Sequence, residues 1–159
     1  MNLVIYYSFE GSTKFIAETI AQGISADILE LKPEKELKSH GFSKYIWGGR
    51  QVVMKTKPKL LSYDKNPNDY NLIFIGTPVW AFTFAPPLRT FFSQVKLQNK
   101  NIAIFCCSDG GRGKTFENMK QQLPDNNFFG EMEFVRTSKN REENRKKAIE
   151  WVKELKLFS

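Results

Sequence analysis

NLVIYYSFEGSTKFIAETIAQGI, residues 2–24, is the stretch whose reading decides the fold. Its first six residues, 2–7, form an unbroken run rich in apolar and aromatic side chains. Such runs belong to strands buried on both faces of a parallel sheet. A short polar turn follows, and then Ile16, Ile20 and Ile24 recur at i, i+4 and i+8, which predicts an amphipathic helix over 13–24. The same grammar returns along the chain. DILEL (27–31) reads as a short strand, while LIFIG (72–76) and NIAIFCC (101–107) read as buried strands, each followed by a glycine-containing turn and a helical pattern. EMEFV (131–135) alternates charged and apolar residues, so one face is wet, as suits a sheet edge. The last helix is predicted over 141–156, with Ala148, Ile149, Val152 and Leu155 on one stripe.

Strands alternating with helices predict an α/β fold, a parallel sheet covered on both sides by helices. Right-handed crossovers leave few ways to connect five strands. The expected arrangement is a three-layer sandwich around a five-stranded parallel sheet of order 2-1-3-4-5. In that order the ligand crevice lies outside the carboxyl ends of the strands, at the switch point between the first and third. The loops to read therefore begin at Ser8, Gly76 and Cys107.

The bulk numbers agree with one domain spanning 1–159. At this length roughly 70% of the unfolded surface can be buried, enough for a core without disulfides. An apolar share of 41% excludes a disordered chain. No run approaches the ~18 apolar residues of a membrane span, and MNLVIYYS lacks the basic lead of a signal peptide. Cys106 and Cys107, the only cysteines, are neighbours on an extended strand and point to opposite faces, so they are not expected to bridge. A cytoplasmic location is expected, with no membrane insertion. With one histidine and two adjacent cysteines, no Ser-His-Asp triad or metal-ligand cluster can be built. The net charge is +7, and between Lys32 and Lys65 nine Lys/Arg face three acids. Two readings stay open: a solvated surface that aids solubility, or a docking patch for an acidic partner. Nucleic-acid binding would rest on charge alone.

The three loops carry the chemistry. SFEGST (8–13) joins a buried strand to a helix N-terminus, where free backbone N–H groups, the helix dipole and hydroxyl donors suit a phosphate without any arginine. Alternatively, Ser12 or Thr13 caps the helix. GTPVWAFTFAPPLRTF (76–91) places Trp80 where a planar ring would lie, or else in the core, and its Pro86-Pro87 suits a first helical turn. CCSDGGRGKT (106–115) ends like a triphosphate-binding loop, but Ser108 stands where the first glycine belongs. It also follows the fourth strand rather than the first, and only EMEFV remains to supply a magnesium-binding acid. Its glycines suit close backbone approach to a ligand's polar edge.

Together these loops resemble those of the flavodoxin family, over nearly the whole chain. SFEGST resembles the family's FMN phosphate loop, TPVW the loop whose aromatic residue stacks on the flavin, and CSDGG the loop along the pyrimidine edge. The resemblance implies a flavodoxin-like fold with FMN as cofactor. It implies that Ser8, Phe9, Glu10, Gly11, Ser12 and Thr13 hold the phosphate, and that Thr77, Pro78, Val79 and Trp80 flank the ring. Cys107, Ser108, Asp109, Gly110 and Gly111 would line its edge. Cys106 is read as core packing. Family phosphate loops carry Ser or Thr where this chain has Glu10, so Glu10 is expected to turn outward or pair with Lys14. The position that often supplies a second flanking aromatic falls in RGK, which has none. Residues 40–60 resemble an insertion in a bacterial branch of the family; Phe42, Tyr45, Ile46 and Val53 could form a helical face there, broken by Trp47, Gly48 and Gly49.

The implied function is an FMN-binding flavoprotein that carries electrons between redox partner proteins, their surfaces acidic where they meet this basic chain. The alternative is a flavin-dependent NAD(P)H:quinone-type reductase, and a third reading is a receiver-like or other non-flavin binding module on the same sheet. A receiver needs paired acids after its first strand, where this chain offers only Glu10. One positive charge ~10 Å from the ring favours its reduced anionic form by ~0.4 kcal/mol, roughly 20 mV for one electron. A basic chain is thus expected to have a less negative potential than acidic family members.

Overall fold

The computed structural model describes residues 1–36 and 56–156. His40 and the expected helical face built on Phe42, Tyr45, Ile46 and Val53 lie outside them. Among these residues five strands run parallel: β1 (Asn2–Tyr6), β2 (Asp27–Glu30), β3 (Leu72–Trp80), β5 (Asn101–Ser108) and β6 (Asn127–Val135), in the spatial order β2-β1-β3-β5-β6. Relabelled by rank along the chain, this is the expected 2-1-3-4-5. A sixth, two-residue strand, β4 (Thr83–Phe84), pairs antiparallel with β3 through Val79↔Phe84 and Trp80↔Thr83. The helices are α1 (Ser12–Ile24), α2 (Pro86–Gln94), α3 (Thr115–Gln122) and α4 (Arg141–Lys156).

The sixth strand exists because β3 does not stop at Gly76. Its pairing with β1 ends there (Tyr6↔Gly76), but Thr77 and Pro78 continue to pair with Cys106 and Cys107 of β5. At Thr77 and Pro78 β3 has left its pairing with β1 and has not yet met β4, which is where a strand tolerates a proline. The chain then reverses through Ala81 (φ 48) and Phe82 (φ 64). Positive φ at both central residues is the signature of a two-residue turn whose twist matches the flanking strands, a turn normally written Asn-Gly.

Period-two alternation sorts each strand's side chains between two cores. Leu3, Ile5, Ile73, Ile75, Ile102 and Ile104 pack with Leu88, Phe91, Phe116 and Met119 beneath α2 and α3. Val4, Phe74, Ala103 and Phe105 pack on the other face with Ile16, Ile20 and Ile24 of α1 and with α4. The stripe of α4 is Ala148, Trp151, Val152 and Leu155, all buried, whereas Ile149 is 36% exposed. The expected placement of Ile149 is thus corrected. It stands ~100° round the helix from Ala148, and Trp151 at i+3 takes the inward place. Among the described residues no helix is long and apolar enough to cross a membrane.

Candidate functional site

At the carboxyl end of β1 the chain leaves the sheet through Ser8, Phe9 and Glu10. It enters α1 by way of Gly11, whose φ of 101 lies in the left-handed region. Gly11 is the N-cap, and no side chain caps the helix. The alternative in which Ser12 or Thr13 caps α1 is therefore corrected: Ser12 is already helical, and Thr13 is buried in the first turn. With no side-chain acceptor and no acidic residue in that turn, the positive end of a 13-residue helix is left for an anion. The Ser8 hydroxyl oxygen is buried and finds no hydrogen-bond partner among the described residues. Glu10 is exposed at the rim.

Trp80 closes β3 and is 4% exposed, part of the core beneath α2 as well as of the cleft wall. Its indole meets Tyr7 edge-on (5.7 Å between centroids, 88°) and Phe9 likewise (5.5 Å, 86°). The core reading of this indole holds, and the same side chain also lines the cleft. Thr77 has another task. It is buried, its Oγ1 donates to the Pro78 carbonyl (2.8 Å) and accepts from the Ala85 N–H (3.0 Å), tying β3 to the start of α2.

The third loop divides similarly. Cys107 and Ser108 are buried at the end of β5, and the Ser108 hydroxyl donates to Glu133 Oε2 (2.8 Å). Asp109 is exposed, and its carbonyl accepts from Arg136 Nε (3.4 Å). Gly110 and Gly111, with φ of 139 and 127, are exposed and do not line the cleft. The Lys114 N–H donates to the Phe82 carbonyl (2.9 Å), and a Cβ on Gly113 would stand 2.5 Å from Phe82 Cβ. That loop is packed onto the hairpin tip. Cys106 points into one core and Cys107 into the other, and both thiols are free. Burial pushes the Cys107 thiol up to about 12, partly offset by the Thr13 and Thr137 hydroxyls beside it. Neither cysteine is poised as a thiolate nucleophile.

These loops line one solvent-open cleft at the carboxyl end of the sheet. Ser8, Phe9, Glu10, Ser12 and Thr13 line it from the first loop; Pro78, Val79 and Trp80 from the second; Cys107, Ser108 and Asp109 from the third. Gly11 and Thr77 stand behind its walls. A twelfth lining residue, Thr137, comes from the turn after β6. Its signal was the hydroxyl pair in VRTSK at the carboxyl end of the neighbouring strand. Among the described lining residues none is Lys or Arg; those that could meet an anion are amides, hydroxyls and the helix end.

A parallel sheet with an anion-ready helix end and an aromatic wall at its switch point defines a doubly wound ligand-binding protein. The comparison with known proteins is then specific: residues 1–155 match the flavodoxin family, and the chain belongs to it. A candidate flavoprotein from Bacteroides uniformis is 22% identical, with 96% of this chain and 97% of that one covered and a TM-score of 0.81. A Lactobacillus acidophilus flavoprotein solved in complex with FMN is 27% identical, with 89% and 96% covered and a TM-score of 0.71. General stress protein 14 of Treponema denticola, also solved with FMN, shares the fold at 12% identity, with 99% of each chain covered and a TM-score of 0.61.

Proposed function

We propose that this chain is a single-domain, cytoplasmic flavoprotein that binds FMN and carries electrons between redox partner proteins. The observation that carries the reading is the two-ended cleft. One end offers an uncapped helix N-terminus and a buried, unpartnered serine hydroxyl; the other offers Trp80 in the wall. A phosphate monoester joined to a flat aromatic ring fits that pair of ends. The FMN held by the Lactobacillus acidophilus relative supports the same assignment.

In this reading Ser8 through Thr13 receive the phosphate, Pro78, Val79 and Trp80 flank the ring, and Cys107 through Asp109 run along its edge. Thr77 acts behind the wall by fixing β3 to α2, and Gly110 and Gly111 supply the turn that lets the third loop pass. FMN supplies one- and two-electron chemistry when bound. The protein's own part is to orient the ring, exclude water from its buried side and set the surrounding charge. With a net charge of +7, the surfaces it meets on redox partners are expected to be acidic.

Adding FMN to the purified protein, removing the excess and recording the visible spectrum tests the reading. Near-equal stoichiometry of flavin bands supports it, and a colourless protein that refuses FMN rejects it. If NAD(P)H oxidation with a quinone acceptor runs faster than with free FMN, the reductase reading displaces the carrier.

A further inference from the structure

We infer that Thr137 binds the phosphate of the cofactor, as the contribution of a fourth loop; the inference rests on the FMN reading above. Thr137 is 4% exposed and lines the cleft, and its Oγ1 is buried with no oxygen or nitrogen partner among the described residues; only the Cys107 thiol, a weak hydrogen-bonding group, lies beside it. Leaving a buried hydroxyl unsatisfied costs about 1–3 kcal/mol, so a site that does so without a ligand is unfavourable by its own construction. Ser8 Oγ, in the same cleft, is likewise buried with no partner among the described residues. The Thr13 hydroxyl, on the first turn of α1, lies with that of Thr137 beside the Cys107 thiol. Three hydroxyls from two distant segments, the first loop and the turn after β6, thus gather at one uncapped helix N-terminus. The ligand chemistry they recognise is an anion with several acceptor oxygens, read without a cation.

The turn that presents Thr137 is held from every side. The Arg136 N–H donates to the Ser108 carbonyl (2.8 Å), which extends the β5–β6 ladder by one bond. Arg136 adopts a φ of 51, and its carbonyl then accepts from the N–H groups of Lys139 and Asn140 (3.0 Å each). Asn144, 4% exposed, reaches back from α4 and donates to the carbonyls of Val135 (3.1 Å) and Asn140 (2.9 Å). A non-glycine residue in the left-handed region and a buried amide clamp are more than a simple connection needs. They fix the direction of one side chain, as a preorganised binding group requires.

The test compares Thr137→Val, which keeps shape and removes the hydroxyl, with Thr137→Ser, which keeps the hydroxyl. Apo-protein is titrated with FMN and with riboflavin, the same ring and sugar without phosphate, and bound flavin is read by fluorescence quenching. A hydrogen bond to a charged acceptor predicts that Thr137→Val weakens FMN about 10- to 100-fold and leaves riboflavin unchanged, while Thr137→Ser stays within about 2-fold of the native chain. The melting temperature of the apo Thr137→Val variant is expected to hold or rise, because an unsatisfied polar atom is gone. An FMN affinity within about 2-fold in Thr137→Val overturns the inference. So does an equal loss for both flavins, which would mark a sugar contact or a packing role. A native chain that binds neither flavin overturns the FMN reading itself, and the inference with it.

Discussion

The two ends of the cleft are made from opposite materials. The anion end is backbone and small hydroxyls: Gly11 at a left-handed φ, Ser8 and Thr137 with no oxygen or nitrogen partner among the described residues, and a turn tied down by Asn144. The ring end is bulk: Trp80 wedged against Tyr7 and Phe9, and behind it a hairpin that turns on Ala81 and Phe82. At the first end the groups that would serve a ligand contribute little to the core. At the second, one side chain serves both, because Trp80 belongs to the core beneath α2 as well as to the cleft wall. Function and stability should therefore separate at the anion end and stay coupled at the ring end.

The largest expected effect breaks the ring end. Trp80→Ala should cost about 3–5 kcal/mol in urea unfolding of the apo-protein, the usual range for emptying a buried aromatic site. A loss below about 1 kcal/mol would mean the indole is not part of the core. Next, Asn144→Ala strips one donor from two carbonyls and should cost about 1–3 kcal/mol in the same assay. Its wider consequence is at the anion end. FMN should bind more weakly although Asn144 itself does not line the cleft, and unchanged affinity would show the clamp to be irrelevant.

The third prediction concerns pH. Burial raises the Cys107 thiol from its ordinary 9.0 to about 12, so the folded chain holds that proton where the unfolded chain has released it. The associated stability is complete below pH 9 and is lost as pH rises from 9 toward 12. Cys106, Tyr6 and Tyr7 are raised for the same first reason, burial, and steepen the fall. In Cys107→Ala the slope of unfolding free energy against pH should flatten by up to about 1.4 kcal/mol per pH unit in that window. Identical slopes would refute the assignment. The smallest effect is a gain. Ala81→Gly relieves a left-handed residue and should stabilise the chain by about 0.5–1 kcal/mol, or ~2 °C in Tm, measured by thermal melting. A loss of stability would show that the turn is not strained.

What the sequence made legible follows the same division. Parallel strands buried on both faces appear as continuous apolar runs, so β1, β3 and β5 and their order could be read directly. Gly11 and the hydroxyls around it were legible because an anion site at a helix end has a composition. The hairpin was not: Ala-Phe carries none of the residues that usually announce a two-residue turn, and so β3 looked four residues shorter than it is. Thr77 looked like a loop residue for that reason, and the longer strand put it to work as a brace. Thr137 was hidden differently. The switch-point argument directed attention to the loops after β1, β3 and β5. The hydroxyl reaches the cleft only through Arg136's left-handed φ and an amide donated from another helix. No local pattern encodes a clamp of that kind.

The contact between Gly113 and Phe82 has a consequence for motion. With the Lys114 N–H bonded to the Phe82 carbonyl and no room for even a methyl group between the two backbones, the hairpin tip and the third loop are latched together. Any displacement of one wall of the cleft should therefore carry the other with it. If a ligand orders these walls, the entropy is lost once for both rather than separately for each.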